Sequence, residues 1–316
     1  MTLMLLFLIR RAVSGIAVLF VVSTLAFFML YFSSQNVARN ILGEVATEEQ
    51  VQQKTVELGL DQPLVDRYFD WLSAALTGDF GTSWFTSQPV LDSILLRLPV
   101  TLSLVVLTTI VTAIVAVLVG VTAAVRRGAI DRSLQGVAIA GDAVPQFVMA
   151  VALVTVFAIQ LGWFPAIGYE PIADGIGPWI YSLTLPVIAL AISAIASTAQ
   201  QIRSSMISML SMDWVRTLRS RGLSRNEILY RHVLRAAAPA GLTILSLHFI
   251  NMLSGAVVIE QIFALPGVGF LALQASIIGD MPLLMGVLVY VVLVVIIVNL
   301  LVDLLVGWLN PKARVA

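Results

Sequence analysis

Six apolar runs, separated by polar stretches, organise the chain: Ala12–Phe32, Pro99–Val125, Leu134–Leu161, Tyr181–Ile202, Ala237–Ile259 and Leu283–Val306. Each matches the roughly 20 residues a helix needs to cross about 30 Å of hydrocarbon. Their interiors lack charge except at Asp142 and Asp303, and Glu260 stands at an edge. Backbone groups in lipid must bond within their own segment, and none of these runs alternates with period two, so helices are predicted. The pattern is that of an all-α membrane protein with six transmembrane helices.

Two polar stretches are more than turns. The first, about Ser33 to Leu98, contains a polar, acidic stretch predicted helical over Glu48–Glu57. A break at Gln62-Pro63 follows, then apolar residues at helical spacing over Leu64–Leu76 (Val65, Tyr68, Phe69, Leu72), then a Gly78-Asp-Phe-Gly81 turn. The second, Arg203 to Arg235, holds seven arginines against Asp213 and Glu227. The chain thus divides into a first helix (1–32), a helical loop (33–98) and a five-helix core (99–316) with a polar insert (203–236).

Lys and Arg in the loops orient the spans. With the N-terminus inside, fourteen of the eighteen cations fall on the cytoplasmic side. Arg39, Lys54, Arg67 and Arg97 fall in the outer loop among nine acids, and the later outer loops hold none. An N-in, C-in topology with a helical extracytoplasmic loop is predicted, in the cytoplasmic membrane. The first span lacks a small-x-small cleavage site and reads as an anchor.

Composition agrees: 59% of the 316 residues are hydrophobic and 11% charged, with mean hydropathy +0.99. A soluble domain carries about 25% charged residues. A net charge of zero gives no sign of nucleic-acid binding. The absence of cysteine excludes disulfides and thiolate chemistry, and His232 and His248 fit no metal-binding H-E-x-x-H spacing.

Within the insert, Asp213 is placed to N-cap a short helix. Trp214, Val215 and Leu218 share one face. Arg219 and Arg221 occupy the last turn, where cations suit the helix dipole, and Gly222 supplies a left-handed stop. Ser224-Arg-Asn-Glu227 has capping-box spacing. A second helix carries Ile228, Leu229, Val233 and Leu234 toward the membrane near Pro239. The first helix is only about two turns and marginal alone, so a partner surface is expected to bury Trp214. Spacing alone leaves two destinations open, a soluble partner or anionic lipid.

The segment Asp213-Trp-Val-Arg-Thr-Leu-Arg-Ser-Arg-Gly222 resembles the coupling segment of ABC importer permeases of the oligopeptide/dipeptide (peptide/nickel) branch, D-[YF]-V-R-T-A-R-A-K-G-L. It departs at Trp214, Leu218, Ser220 and Arg221. The resemblance runs along nearly the whole chain: Arg10-Arg11, Leu58-Gly-Leu-Asp-Gln-Pro-Leu64, Gly78-Asp-Phe-Gly81, Leu96-Arg-Leu-Pro-Val-Thr-Leu102, Gly141-Asp-Ala-Val-Pro-Gln-Phe147, Glu260-x-x-Phe263-x-x-Pro-Gly-Val-Gly269, Asp280-Met-Pro282 and Asn310-Pro-Lys-Ala-Arg314. It implies a type I importer permease that moves peptides or similar small solutes by alternating access. Asp213, Trp214, Val215, Arg216, Thr217, Leu218, Arg219, Arg221 and Gly222 would couple it to an ATPase. The implied partners are two ABC ATPase subunits holding ATP and Mg, an extracytoplasmic solute-binding protein, and a related second permease, since six spans line only half a path.

This chain is not expected to bind a cofactor or to act as an enzyme. Gly267-Val-Gly269 lacks the following Lys-Ser/Thr of a phosphate loop, and no Walker-type motif occurs. Asp142 and Gln146 are candidates for the translocation path, with simple solvation at the cytoplasmic end of the span the equal alternative for Asp142, and Asn251 and Ser254 are candidates for the path or for interhelical bonds, since polar groups in a span face the bundle interior or water. Ser193, Ser197 and Gln200 are read either as path residues or as interhelical bonds, His248 as a hydrogen-bonded interior residue, and Pro145 as a kink. Asn299 and Asp303 read as interhelical bonding groups. An ion-coupled secondary transporter using Asp142 is the alternative; an aspartyl enzyme using Asp142 and Asp303 lacks matching flanks.

Overall fold

Long uncharged runs become long helices because their backbone groups have no other partner in lipid. A computed structural model describes residues 2–33, 37–126, 128, 136, 141 and 144–309, and nearly all of its regular structure is helical. The helices are α1 (Thr2–Ser33), α2 (Val37–Leu42), α3 (Glu48–Glu57), α4 (Leu64–Leu76), α5 (Val90–Val125), α6 (Gln146–Leu153), α7 (Ile176–Leu210), α8 (Asp213–Ser220), α9 (Arg225–Glu227), α10 (Leu234–Ile262), α11 (Val268–Ile278) and α12 (Met281–Leu309). A π-helical turn, Val154–Gln160, extends α6, and another, Ile228–Val233, joins α9 to α10.

Five stretches are long and apolar enough to cross a membrane: Ile9–Leu30, Val90–Val125, Ile176–Leu210, Arg225–Ile262 and Met281–Gly307. They cover four of the six expected runs whole and all but the last two residues of Ala12–Phe32. Of the remaining run, Leu134–Leu161, the described part is the shorter apolar helix Gln146–Gln160. Asp142, Arg127 and Arg132 lie outside the described residues, as does the 310–314 motif. Pro145 lies outside α6 and makes no kink within Gln146–Leu153. It stands at the N-cap of α6 with ψ 139° and opens that helix, as a residue without a backbone N–H can.

Two compact units are present, one built around residues 102–265, the other from residues 9–101 and 266–296. In the first, α5, α7 and α10 converge on Ile202, which is buried. Two glycines permit this approach. A Cβ at Gly120 would lie 2.7 Å from the Ala199 carbonyl oxygen, and one at Gly241 would lie 2.9 Å from Ile202 Cγ1. The carbonyl cannot rotate away, so Gly120→Val must push α5 off α7. Overpacking of this kind costs roughly 1–3 kcal/mol, and the thermal midpoint of the detergent-solubilised chain should fall. An unaltered midpoint would refute this contact.

In the second unit, α4 lies against the end of α1 and the start of α12. Phe27, Tyr68, Met281 and Met285 form its buried core. The Phe27 and Tyr68 rings meet edge-on at 5.4 Å, a favoured aromatic geometry. Tyr68 and Thr24 share a hydroxyl hydrogen bond of 2.8 Å. Thr47 and Gln50 cap α3 reciprocally, each side chain meeting the other's backbone N–H. The Val268 N–H, one of the orphan donors that open α11, donates to Thr101 Oγ1 at 2.8 Å. On α1, Val13, Ile16, Phe20 and Met29 are exposed, a distribution suited to lipid.

Candidate functional site

The polar insert folds as the capping signals require, with one shift. Met212 is the N-cap of α8 and makes no side-chain cap, so Asp213 is the first helical residue. Its charge still sits where the helix dipole favours an anion. Asp213 pairs with Arg216 at 3.6 Å, but both side chains are over 80% exposed, and such a pair adds little stability. At the other end, the Gly222 N–H donates to the Arg219 carbonyl at 3.0 Å and the Leu223 N–H to the Leu218 carbonyl at 3.3 Å. These two bonds define a Schellman stop, which places Gly222 at φ +83°. Leu218 and Leu223 pack on the same cluster, as that motif favours.

The chain then restarts. Ser224 Oγ accepts from the Glu227 N–H at 3.2 Å. The Glu227 carboxylate pairs with Arg231 at 3.5 Å, so only half of the expected capping box is formed.

The apolar face of α8 has its partner within the chain. Val215 is 1% exposed, and Trp214 and Leu218 pack on a cluster of Met206, Ile228, Leu229 and Val233. The chain itself thus covers part of Trp214, which remains half-exposed. This packing weakens the lipid-surface alternative, which requires the apolar face to be free for the bilayer. What α8 shows to the outside is polar: Asp213, Arg216, Thr217, Arg219 and Ser220 are all exposed. Arg219, Arg221 and Arg225 are exposed and make no ion pair with a described residue. The site is therefore a short, rigidly seated helix with a cationic outer face.

Of the path candidates, Asn251 and Ser254 are exposed on α10, on the same face as exposed Leu247 and Val258. Gln146 begins α6 and lies against α10: a Cβ at Gly255 would meet its Oε1 at 2.5 Å. The fold therefore brings Gln146 beside the residue that follows Ser254. Ser197 bonds His248 Nε2 at 2.7 Å, which makes this pair an interhelical bond.

Two acids matter more than their sequence positions suggested. Glu260, at the edge of its apolar run, is 0% exposed. Asp280 is also 0% exposed. It accepts from the Ser83 hydroxyl, the Trp84 N–H (3.4 Å) and the Leu283 N–H (3.4 Å), and it precedes α12 as a capping residue. Its signal was an Asp placed just before an apolar run with Pro close behind.

Long apolar helices together with a short helix of polar outer face are what a membrane translocation subunit would present. Residues 116–315 match the family described as "Binding-protein-dependent transport system inner membrane component", and residues 4–105 match its N-terminal companion. The chain belongs to this family: it is a multi-pass permease subunit of an ATP-driven ABC importer in the cytoplasmic membrane. Membership implies ATPase and substrate-binding partners and displaces the ion-coupled alternative. Similar proteins include a putative peptide transport system permease of Brucella abortus, 38% identical over 283 residues (89% of this chain, 90% of the relative). A probable peptide ABC transporter permease of Sinorhizobium fredii is 39% identical over 284 residues (90% and 91%). The glutathione transport system permease GsiC of Escherichia coli is 33% identical over 287 residues (90% and 91%). Inward-facing structures of the MetNI methionine ABC transporter share the fold, with TM-score 0.54 and 17% identity, covering 67% of this chain and 93% of that chain.

Proposed function

We propose that this permease moves peptides, or small solutes resembling them, through a path shared with a second, related permease chain. Six spans with both termini in the cytoplasm and the 33–98 loop outside complete the topology. ATP and Mg are held by two partner ATPases. Asp213–Gly222 seats on one of them, and ATPase closure is transmitted through the Met206–Val215–Leu229–Val233 cluster to α7 and α10. Gln146, Asn251 and Ser254, with Asp142, face the solute path. A binding protein delivers solute to the outer face. Transport requires that ATP and the loaded binding protein favour the same conformer, each through differential affinity.

The single observation that carries this reading is the seat of α8: Val215 anchors it on the cluster, Trp214 and Leu218 are half-buried beside it, and its cationic side is exposed to engage another protein. The peptide assignment is supported by the named substrates of the relatives. Trp214→Ala loosens the seat without touching a span. We expect normal membrane insertion, retained ATP hydrolysis by the partners, and peptide uptake reduced about tenfold in proteoliposomes of the assembled transporter. Full uptake by this variant would argue that α8 transmits no force.

A further inference from the structure

A cavity of about 350 Å³ opens within the unit formed by residues 9–101 and 266–296. Four separated parts of the chain line it: the end of α1, α4 with the segment before it, the 79–84 turn, and the start of α12. Its depth is apolar and electron-rich. Phe27 is 3% exposed, Met281 5% and Met285 0%, and Trp71 and Trp84 are half-buried beside them. Its rim is charged. Asp70 and Asp79 are both exposed, and Arg67 stands one turn before Asp70 on α4, with a guanidinium nitrogen 4.0 Å from Met281 sulfur.

The walls are held in place before any ligand arrives. Asp280 ties the Trp84 backbone to the start of α12, and the Tyr68–Thr24 bond ties α4 to α1. The Asp79 carboxylate is oriented by the Gly81 N–H at 2.8 Å. A fixed pocket spares a ligand the cost of ordering loops.

Size and charge layout select the occupant. Small-molecule sites span about 300–1,000 Å³, mostly apolar with a few convergent polar groups. Two carboxylates against one guanidinium leave the rim net negative, which favours a cation and disfavours an anionic lipid headgroup. Aromatic faces add attraction for an ammonium group. A lysine reaching in from a partner protein would place its charge deepest, against Phe27 and Met285, and leave its aliphatic stem at the carboxylates. That order is the reverse of the lining. A free amino acid residue with an apolar side chain has the matching order, charge at the rim and carbon below.

We propose that this cavity is a capture site for a small amphipathic amine, its ammonium between Asp70 and Asp79 and its apolar side chain on the Trp71–Trp84–Met285 floor. Naming that amine as the amino-terminal residue of a peptide rests on the peptide reading above.

The test uses the full chain in lipid nanodiscs, without ATPase or binding protein, and measures binding of leucyl-leucine, N-acetyl-leucyl-leucine and leucinamide by equilibrium dialysis. Leucyl-leucine and leucinamide should bind saturably, and the acetylated dipeptide about tenfold or more weaker, because acetylation removes the charge-assisted bonds. Asp70→Asn, an exposed and nearly isosteric change, and Trp84→Ala should each weaken leucyl-leucine about tenfold, whereas Glu49→Gln on α3 should not. Absence of saturable binding, equal binding of the free and acetylated dipeptides, or full affinity in Asp70→Asn would each overturn the site. The peptide reading fails separately: leucinamide binding as expected, with no leucyl-leucine uptake by the assembled transporter, would keep an amine site and discard the peptide. Uptake of leucyl-leucine with no binding to the nanodisc chain would discard the cavity alone.

Discussion

Gly222→Val is expected to cut ATP-driven uptake about tenfold while leaving the spans inserted and the partner ATPases active. The reason is conformational. Gly222 sits at φ +83°, and beyond its two chain neighbours no atom lies within 4 Å of where its Cβ would be. Valine therefore meets no clash, only a backbone region that β-branched residues almost never enter. The left-handed conformation costs an L-residue roughly 1–2 kcal/mol, and about 1.4 kcal/mol is a factor of ten in an equilibrium. The two Schellman bonds would yield first, since they hold the only tight stop between α8 and α9. Asparagine tolerates this region better, so Gly222→Asn should retain most of the uptake. Parallel measurement of uptake and ATP hydrolysis in proteoliposomes decides the matter. If valine transports as well as asparagine, the stop is not part of the coupling geometry.

Asp280→Ala should be the most destabilising single change in the unit formed by residues 9–101 and 266–296. The carboxylate is fully buried and serves three donors from two segments nearly 200 positions apart in the chain. Alanine leaves the Ser83 hydroxyl and the Trp84 and Leu283 N–H groups without it. A buried donor stripped of its partner costs about 1–3 kcal/mol, so the total is a large part of the roughly 5–15 kcal/mol that holds a typical domain folded. The expected outcome is a marked drop in thermal midpoint and rapid proteolysis between residues 77 and 90. Asp280→Asn keeps an acceptor, and Ser83 can reorient to accept in turn, so it should cost much less. Equal midpoints for the alanine variant and the parent chain would show that the hub carries no load.

The parts of the fold legible in the sequence are those set by local rules. Leu64–Leu76 is helical over the expected residues because its apolar spacing and the preceding Pro63 act within one segment. The stop at Gly222 and the cap at Ser224 were equally plain, since each needs only its neighbours. Residues that depend on distant partners were harder to read. Asp280 looked like part of a short motif, yet its role comes from Ser83 and Trp84. The internal packing of Trp214 was not legible because its partners Met206, Ile228 and Leu229 lie on other helices or turns. Gly120 and Gly241 carried no local signal for a shared neighbour in Ile202. Helix ends drifted for a related reason: α7 continues to Leu210, eight residues past the apolar run, because packing on the insert replaces lipid there.

The π-helical turn at Ile228–Val233 determines which way the insert points. Leu229, Val233, Ala237 and Gly241 recur every four residues and are all buried. In an α-helix, with about 100° per residue, a four-residue step overshoots a full turn by about 40°. Three such steps would wind the row about a third of the way around the rod. The wider turn absorbs part of that drift and keeps the row aimed at one neighbour. The azimuth of the polar insert on its helix is thus governed by a single surplus residue, and a one-residue deletion there would swing the exposed arginine face by about 100°.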